Sequence, residues 1–226
     1  MIRVIAHRGN HDTSRQNTLA SYRDALDAGA DAAELDVRMT RDGAAVLAHD
    51  PVQWHRRRPH VVRLSSLSRL HFLARLDEVL AETRTADHRV PVVLDVKRAT
   101  DLPAVVDWCQ QRVDDLHQFA LWYRDPERLR RLDGRDAFGE VALLPGRAPV
   151  SVYLKTAASV GADVVSLHPE VLNPTSVDWA HRHGLRAYAW IRARGDHQHA
   201  VECGVDGLVT DWIHDALTAA GRAPAQ

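Results

Sequence analysis

Apolar and polar residues fall into two regimes along this chain. Short runs that are apolar throughout, rich in Val, Ile, Leu and Ala, alternate with longer stretches in which apolar positions recur every three or four residues. The first regime predicts strands near 2–6, 32–37, 91–96, 118–122, 139–144, 163–167, 185–191 and 206–210. The second predicts helices near 17–28, 73–84, 101–114, 126–132, 151–160, 174–183, 196–203 and 212–220. Three helix-to-strand junctions share one pattern: Gly29-Ala30-Asp31, Gly161-Ala162-Asp163 and Gly204-Val205-Asp206. Glycine there can take the left-handed backbone that closes a helix before the next parallel strand. Eight continuous apolar strands alternating with eight helices predict an α/β fold, a (β/α)8 TIM barrel. One segment departs from the alternation. Arg41-Asp42-Gly43 reads as a tight turn into a short strand, Ala44 to Ala48, followed by a polar, Arg-rich stretch to about Leu70. Residues 39–72 are therefore expected to form a small insertion after the second strand, over the barrel mouth. No low-complexity linker divides the chain, so 1–226 reads as one domain.

Composition narrows the function classes. At 226 residues and 25.3 kDa the chain can bury roughly 70% of its unfolded surface without disulfides. A hydrophobic fraction of 45% against 26% charged residues excludes a disordered or fibrous chain. The 29 basic and 30 acidic side chains nearly cancel, which leaves no broad electrostatic footprint for nucleic acid. Anion recognition must then be local. Cys109 and Cys203 match neither a zinc cluster nor a disulfide framework and read as reduced thiols. No apolar run approaches the roughly 20 residues that span a bilayer, so no stable membrane insertion is expected. With no leader pattern before the first strand, the expected compartment is the cytoplasm.

In such a barrel, chemistry sits at the carboxyl ends of the strands. The first strand ends in His7-Arg8-Gly9. Glu34 and Asp36 in the second strand, and Asp95 and Lys97 in the third, are two apart and so point to one face. Neighbouring strands should bring His7, Glu34, Asp36, Asp95 and Lys97 into one patch. Three crowded carboxylates repel unless they share a cation or take up protons. A divalent ion resolves the conflict, and all-oxygen ligation favours magnesium or calcium. A salt-bridge network with Arg8, Lys97 and Arg38 is the alternative. The extra strand ends in His49-Asp50-Pro51, which would bring a second imidazole beside His7, as acid–base chemistry near neutral pH requires. Lys97 is one of only two lysines beside 27 arginines, which suggests a need for a compact charge at a phosphoryl oxygen. Trp190, at the end of the seventh barrel strand, reads as an aromatic wall for the substrate. The run Arg56-Arg57-Arg58, with His55 and His60, reads either as a solvated face or as a lure for an anionic substrate.

Several stretches resemble the glycerophosphodiester phosphodiesterase family. They are Ala6-His7-Arg8-Gly9, Gln16-Asn17-Thr18-Leu19-Ala20-Ser21-Tyr22, Gly29 through Gly43 with Glu34-Leu35-Asp36, and His49-Asp50-Pro51. Further along come Leu94-Asp95-Val96-Lys97, Tyr188-Ala189-Trp190 and Gly204 through Asp211. The resemblance implies a barrel with a small insertion. It also implies His7 and His49 as the acid–base pair, Glu34, Asp36 and Asp95 as ligands of one divalent cation, and Arg8 and Lys97 as phosphate contacts. The implied activity is metal-dependent cleavage of a small-molecule glycerophosphodiester to a phosphomonoester and an alcohol. Gln16 stands where the family usually has Glu, and Asp95 where it commonly has Glu; the latter also resembles sphingomyelinase D enzymes. Two alternatives follow: phosphoryl transfer to an internal hydroxyl that yields a cyclic phosphate, or a barrel that binds a phosphorylated ligand without catalysis.

Overall fold

The computed structural model describes residues 1–10, 14–85 and 91–223. The chain opens with β1 (Arg3–His7), α1 (Leu19–Asp27) and β2 (Ala32–Met39), and then leaves the alternating pattern. Three short strands follow, β3 (Ala45–Leu47), β4 (Val52–His55) and β5 (Arg58–Val61), before α2 (Leu76–Thr85) and β6 (Val92–Val96). The regular alternation then runs through α3 (Leu102–Gln110), β7 (Phe119–Tyr123), α4 (Pro126–Arg130), β8 (Glu140–Leu143) and α5 (Val150–Ser159). It ends with β9 (Val164–Leu167), α6 (Pro174–Arg182), β10 (Arg186–Trp190), α7 (Asp196–Glu202), β11 (Gly207–Thr210) and α8 (Ile213–Ala219).

Eight strands close into a parallel barrel in the order β1, β2, β6, β7, β8, β9, β10, β11, with β11 returning to β1. All eight barrel strands of the sequence reading are present. Because side chains alternate across each strand, the barrel sorts its residues into two cores. Ile5, Val93, Trp122, Ala142, Val164, Tyr188 and Val209 fill the cylinder itself. Val4, Leu35, Leu94, Leu121 and Leu208, one position away, pack outward against the helices. The lower end is plugged by a buried carboxylate: Glu140 accepts hydrogen bonds from Tyr188 Oη at 2.7 Å and Trp122 Nε1 at 3.2 Å and pairs with Arg3 at 2.8 Å. Gly207 makes room for this plug, since a Cβ there would lie 2.8 Å from the Tyr188 ring. Trp122 is thus an interior residue of the cylinder, with no exposure at the mouth. Both cysteines are free and buried.

Between β2 and β6 the chain is richer than its hydropathy pattern suggests. β3 pairs antiparallel with the end of β2, Val37 against Leu47 and Met39 against Ala45. The hairpin β4–β5 has no counterpart in the sequence reading, because its turn is Arg56-Arg57 rather than the Asn-Gly that marks a two-residue loop. The helix expected from residue 73 begins at Leu76 instead. Residues 74 and 75 are drawn onto β3, where the Leu47 N–H donates to Ala74 O and Val46 bridges Arg75. No helix among the described residues is long and apolar enough to cross a membrane.

Candidate active site

Strand register builds the site. His7 stands alongside Glu34 in the β1–β2 pair, and Asp36 alongside Asp95 in the β2–β6 pair. Each of these side chains points into the cylinder at its carboxyl end, above the apolar filling. Glu34, Asp36 and Asp95 are buried, and one oxygen from each lies within 4.8 Å of the others. This is the only group of three or more such ligands found among the described residues.

Charge and hydrogen bonding divide the three carboxylates. Burial pushes Asp36 upward, but Lys97, Arg8 and Asn17 outweigh it, and its carboxyl lies below the usual range. Lys97 Nζ is 2.5 Å from Asp36 Oδ1 and also contacts Asp95. Arg8 Nε is 3.0 Å from Asp36 Oδ2, and Asn17 Nδ2 donates to the same oxygen at 2.7 Å. Burial dominates at Asp95, which is raised despite Lys97. Glu34 is pushed furthest above the ordinary range, first by burial and then by Asp36. Its Oε2 accepts the Arg8 N–H at 3.0 Å, while the buried Oε1 has no hydrogen-bonding partner among the described residues. An orphaned carboxylate oxygen facing two other carboxylates is what a cation ligand needs before the cation arrives. The donor set, all oxygen, fits a hard divalent ion.

The loop after β1 holds this arrangement under strain. Arg8 and Asn17 both adopt left-handed backbone, φ 57° each, which non-glycine residues rarely take. Arg8 is thereby turned so that its N–H reaches Glu34 and its guanidinium reaches Asp36 and Gln16. Gly9 follows at φ 77°, where a Cβ would lie 2.6 Å from the Ser21 backbone. Asn17 is locked from both ends: its Oδ1 accepts the Asp36 N–H at 2.9 Å, and its own N–H donates to Arg8 O at 3.0 Å. Helix α1 starts two residues later, at Leu19 with Thr18 as its N-cap, so the expected helical start at 17 gives way to this contact.

His7 is mostly buried, and burial lowers its pKa from the usual imidazole value even though Asp211 opposes the shift. Its Nδ1 lies 2.7 Å from Asp211 Oδ1, and its Nε2 has no hydrogen-bonding partner among the described residues. Trp190 packs edge-on against the imidazole with ring centres 4.5 Å apart, and His168 stacks on the other ring of that pair at 6.1 Å. His49 is placed differently. Its ring is 44% exposed, and Nδ1 is 2.9 Å from Asp50 Oδ1. The segment that follows β3 is tied to the site through the Ala48 N–H, which donates to Asp36 O at 2.9 Å, and through Arg38, which donates to His49 O. His49 lines a hollow of about 170 Å³ together with Gln16 and Asn17, and the Asn17 side chain in turn bonds Asp36. Thus Arg8, Lys97, Glu34, Asp36 and Asp95 meet, His7 and Trp190 flank them, and His49 borders the group from the rim.

Two residues at the site had no role in the sequence reading. Asn17 lies in a stretch that carries the family resemblance and reads as the start of a helix, but no role was assigned to its side chain. Asp211 follows the last barrel strand, and the strand-end criterion that picked out His7 and Asp95 would have found it. Behind Asp211, the buried His197 bonds Thr210 Oγ1 at 2.9 Å, which also accepts the Trp212 N–H and so fixes the loop that carries Asp211.

Comparison with known proteins agrees with this geometry. Residues 7–214 match the model of the glycerophosphoryl diester phosphodiesterase family. A glycerophosphodiester phosphodiesterase from Caldanaerobacter subterraneus subsp. tengcongensis is 24% identical over 92% of this chain and 93% of its own length. Among solved structures, the glycerophosphodiester phosphodiesterase from Thermotoga maritima superposes with a TM-score of 0.79 at 19% identity, covering 98% of this chain and 99% of that one. A phosphodiesterase from Oleispira antarctica, solved with the product sn-glycerol-3-phosphate, superposes with a TM-score of 0.79 at 18% identity, covering 97% of this chain and 96% of that one. The chain therefore belongs to the glycerophosphoryl diester phosphodiesterase family, hydrolases that act on phosphodiester bonds.

Proposed function

We propose that this protein is a metal-dependent phosphodiesterase that hydrolyses a small glycerophosphodiester to a phosphomonoester and an alcohol, in the cytoplasm. The observation that carries the reading is the meeting of three buried carboxylates beside an imidazole whose Nε2 has no partner among the described residues. Glu34, Asp36 and Asp95 would hold one divalent cation, magnesium or calcium. Such an ion, when bound, stabilises the negative charge that gathers on a non-bridging phosphoryl oxygen. Arg8 and Lys97 add fixed positive charge at the same place, and Trp190 forms an apolar wall for the alcohol group.

His7 and His49 supply the proton transfers. With Nδ1 committed to Asp211 and the ring buried, His7 is neutral at pH 7 and offers Nε2 as a base to the attacking oxygen. His49, exposed at the rim and held by Asp50, protonates the leaving alkoxide. We read 1–226 as one catalytic domain and 39–72 as an insertion over the barrel mouth that brings His49 to the reaction. The test is phosphorus NMR of the products formed from glycerophosphodiesters with magnesium or calcium. A phosphomonoester is expected. A cyclic phosphate would move the assignment to intramolecular transfer, and no turnover by a metal-loaded protein on a broad diester panel would overturn the enzymatic reading.

A further inference from the structure

The stretch between β3 and α2 has a charge pattern unlike the rest of the chain. Between Asp50 and Asp77 there are six arginines and no carboxylate, a local charge of +6 in a chain whose total is −1. Arg75 pairs with Asp77 and Glu78. Arg56, Arg57, Arg58, Arg63 and Arg69 have no ion pair among the described residues. Unpaired arginines this concentrated repel one another, so the segment is electrostatically unsatisfied by its own fold.

The backbone supports the same reading. Arg56 and Arg57 form the two-residue tip of the β4–β5 hairpin, both with left-handed backbone, φ 48° and 63°. That turn ordinarily selects Asn and Gly, so two arginines there keep charge at the expense of conformational comfort. Beside the tip lies an open hollow of about 650 Å³ lined by Arg58, Pro59, His60, Leu64, Arg69 and His71, again without a carboxylate. Large apolar side chains stand exposed at its edge. Trp54, paired across the hairpin with Pro59, is 67% exposed, and Leu64 is 56% exposed. Beneath, His55 stacks on Phe72 with ring centres 4.4 Å apart, which fixes the hairpin to the body of the insertion.

We infer that this face docks on an anionic phospholipid surface, with lipid phosphates in the hollow between Arg58 and Arg69 and with Trp54 and Leu64 at the headgroup boundary. Charge complementarity selects the partner, and the exposed aromatic and aliphatic pair selects a bilayer over a nucleic acid, which would need no Leu64. The docking is peripheral and is independent of the catalytic reading.

The experiment is co-sedimentation of the full chain with phosphatidylcholine vesicles, with and without phosphatidylglycerol, read together with tryptophan fluorescence. Binding to the anionic vesicles only, with a blue shift and with loss at high salt, is expected. Each arginine near such a surface contributes about fivefold in affinity, so R58A/R69A should bind roughly thirtyfold more weakly. W54A should abolish most of the blue shift, and unchanged circular dichroism of both variants establishes that they fold. Equal binding to neutral and anionic vesicles, no binding by the natural chain, or unaltered binding by a folded R58A/R69A would each overturn the proposal. So would retention by single-stranded DNA without retention by vesicles.

Discussion

His7 Nδ1 and Asp211 Oδ1 are 2.7 Å apart although 204 positions separate them in the chain. They meet because β1 and β11 are the first and last staves of the cylinder and run in register, Ala6 beside Thr210. Barrel closure thus assembles a carboxylate–imidazole pair across its own seam. A carboxylate that accepts the Nδ1 proton fixes the tautomer and leaves Nε2 as the basic nitrogen.

Asp211→Asn tests that pair. It keeps a hydrogen-bonding group but removes the charge that raises the His7 pKa. We expect kcat to fall by about 10- to 100-fold with little change in KM. The acid limb of the pH profile should move to lower pH, because His7 then stays neutral further down the scale. Imidazole proton NMR of the variant checks the shift directly. An unmoved His7 titration would show that Asp211 only packs against the ring.

Glu34→Gln should have opposite effects on the two forms of the protein. Without metal, it relieves the crowding that pushes Glu34 above the ordinary carboxylate range, so thermal stability rises. With metal, it removes a ligand oxygen. For the natural chain, magnesium or calcium at about 100 times its dissociation constant should add about 2.7 kcal/mol of stability. In the variant most of that gain should vanish. Melting curves with added ion and with chelator measure both signs.

Gly9 and Gly43 separate two costs of adding a methyl group. Both sit at positive φ, 77° and 79°, but a Cβ at Gly9 meets the Ser21 backbone at 2.6 Å and one at Gly43 meets nothing. Gly43→Ala should cost about 1 kcal/mol from backbone conformation alone. Gly9→Ala should cost roughly 2–4 kcal/mol, the clash added to the strain, and should lower activity by shifting Arg8. Urea unfolding of the two variants gives the comparison.

Alkaline pH should unfold the barrel through its tyrosines. Burial pushes Tyr22 and Tyr123 up to about 12 and raises Tyr153 and Tyr188 as well. These are all four tyrosines of the chain. In the unfolded chain each ionises near 10. A group whose pKa is higher when folded supports folding below its unfolded value and loses that contribution as pH rises through the folded one. The tyrosine contribution to stability should therefore be constant below about pH 10 and fall steeply toward 12. Ultraviolet titration of tyrosinate should coincide with the loss of native circular dichroism, and a reversible native titration near 10 would contradict it.

By itself, the sequence determined the barrel and most of the candidate site. Continuous apolar strands and their helical partners are local patterns, and the two-residue repeat in Glu34 and Asp36, or Asp95 and Lys97, fixes a common face without any knowledge of distant contacts. Once the strands were known to be sequential neighbours, His7, Glu34, Asp36 and Asp95 had to converge. The tertiary structure decided the rest. The Asp211 partnership depends on closure, a contact between chain ends that no local pattern encodes. Asn17 depends on a strained loop, where the fold overrides the ordinary preference of the backbone. The β4–β5 hairpin was hidden because its turn carries arginines, and the depth of Trp122 in the cylinder came only with the closed barrel, since strand alternation says just which side a residue faces. Local chemistry is written in order along the chain, whereas burial and long-range pairing exist only after the chain has closed on itself.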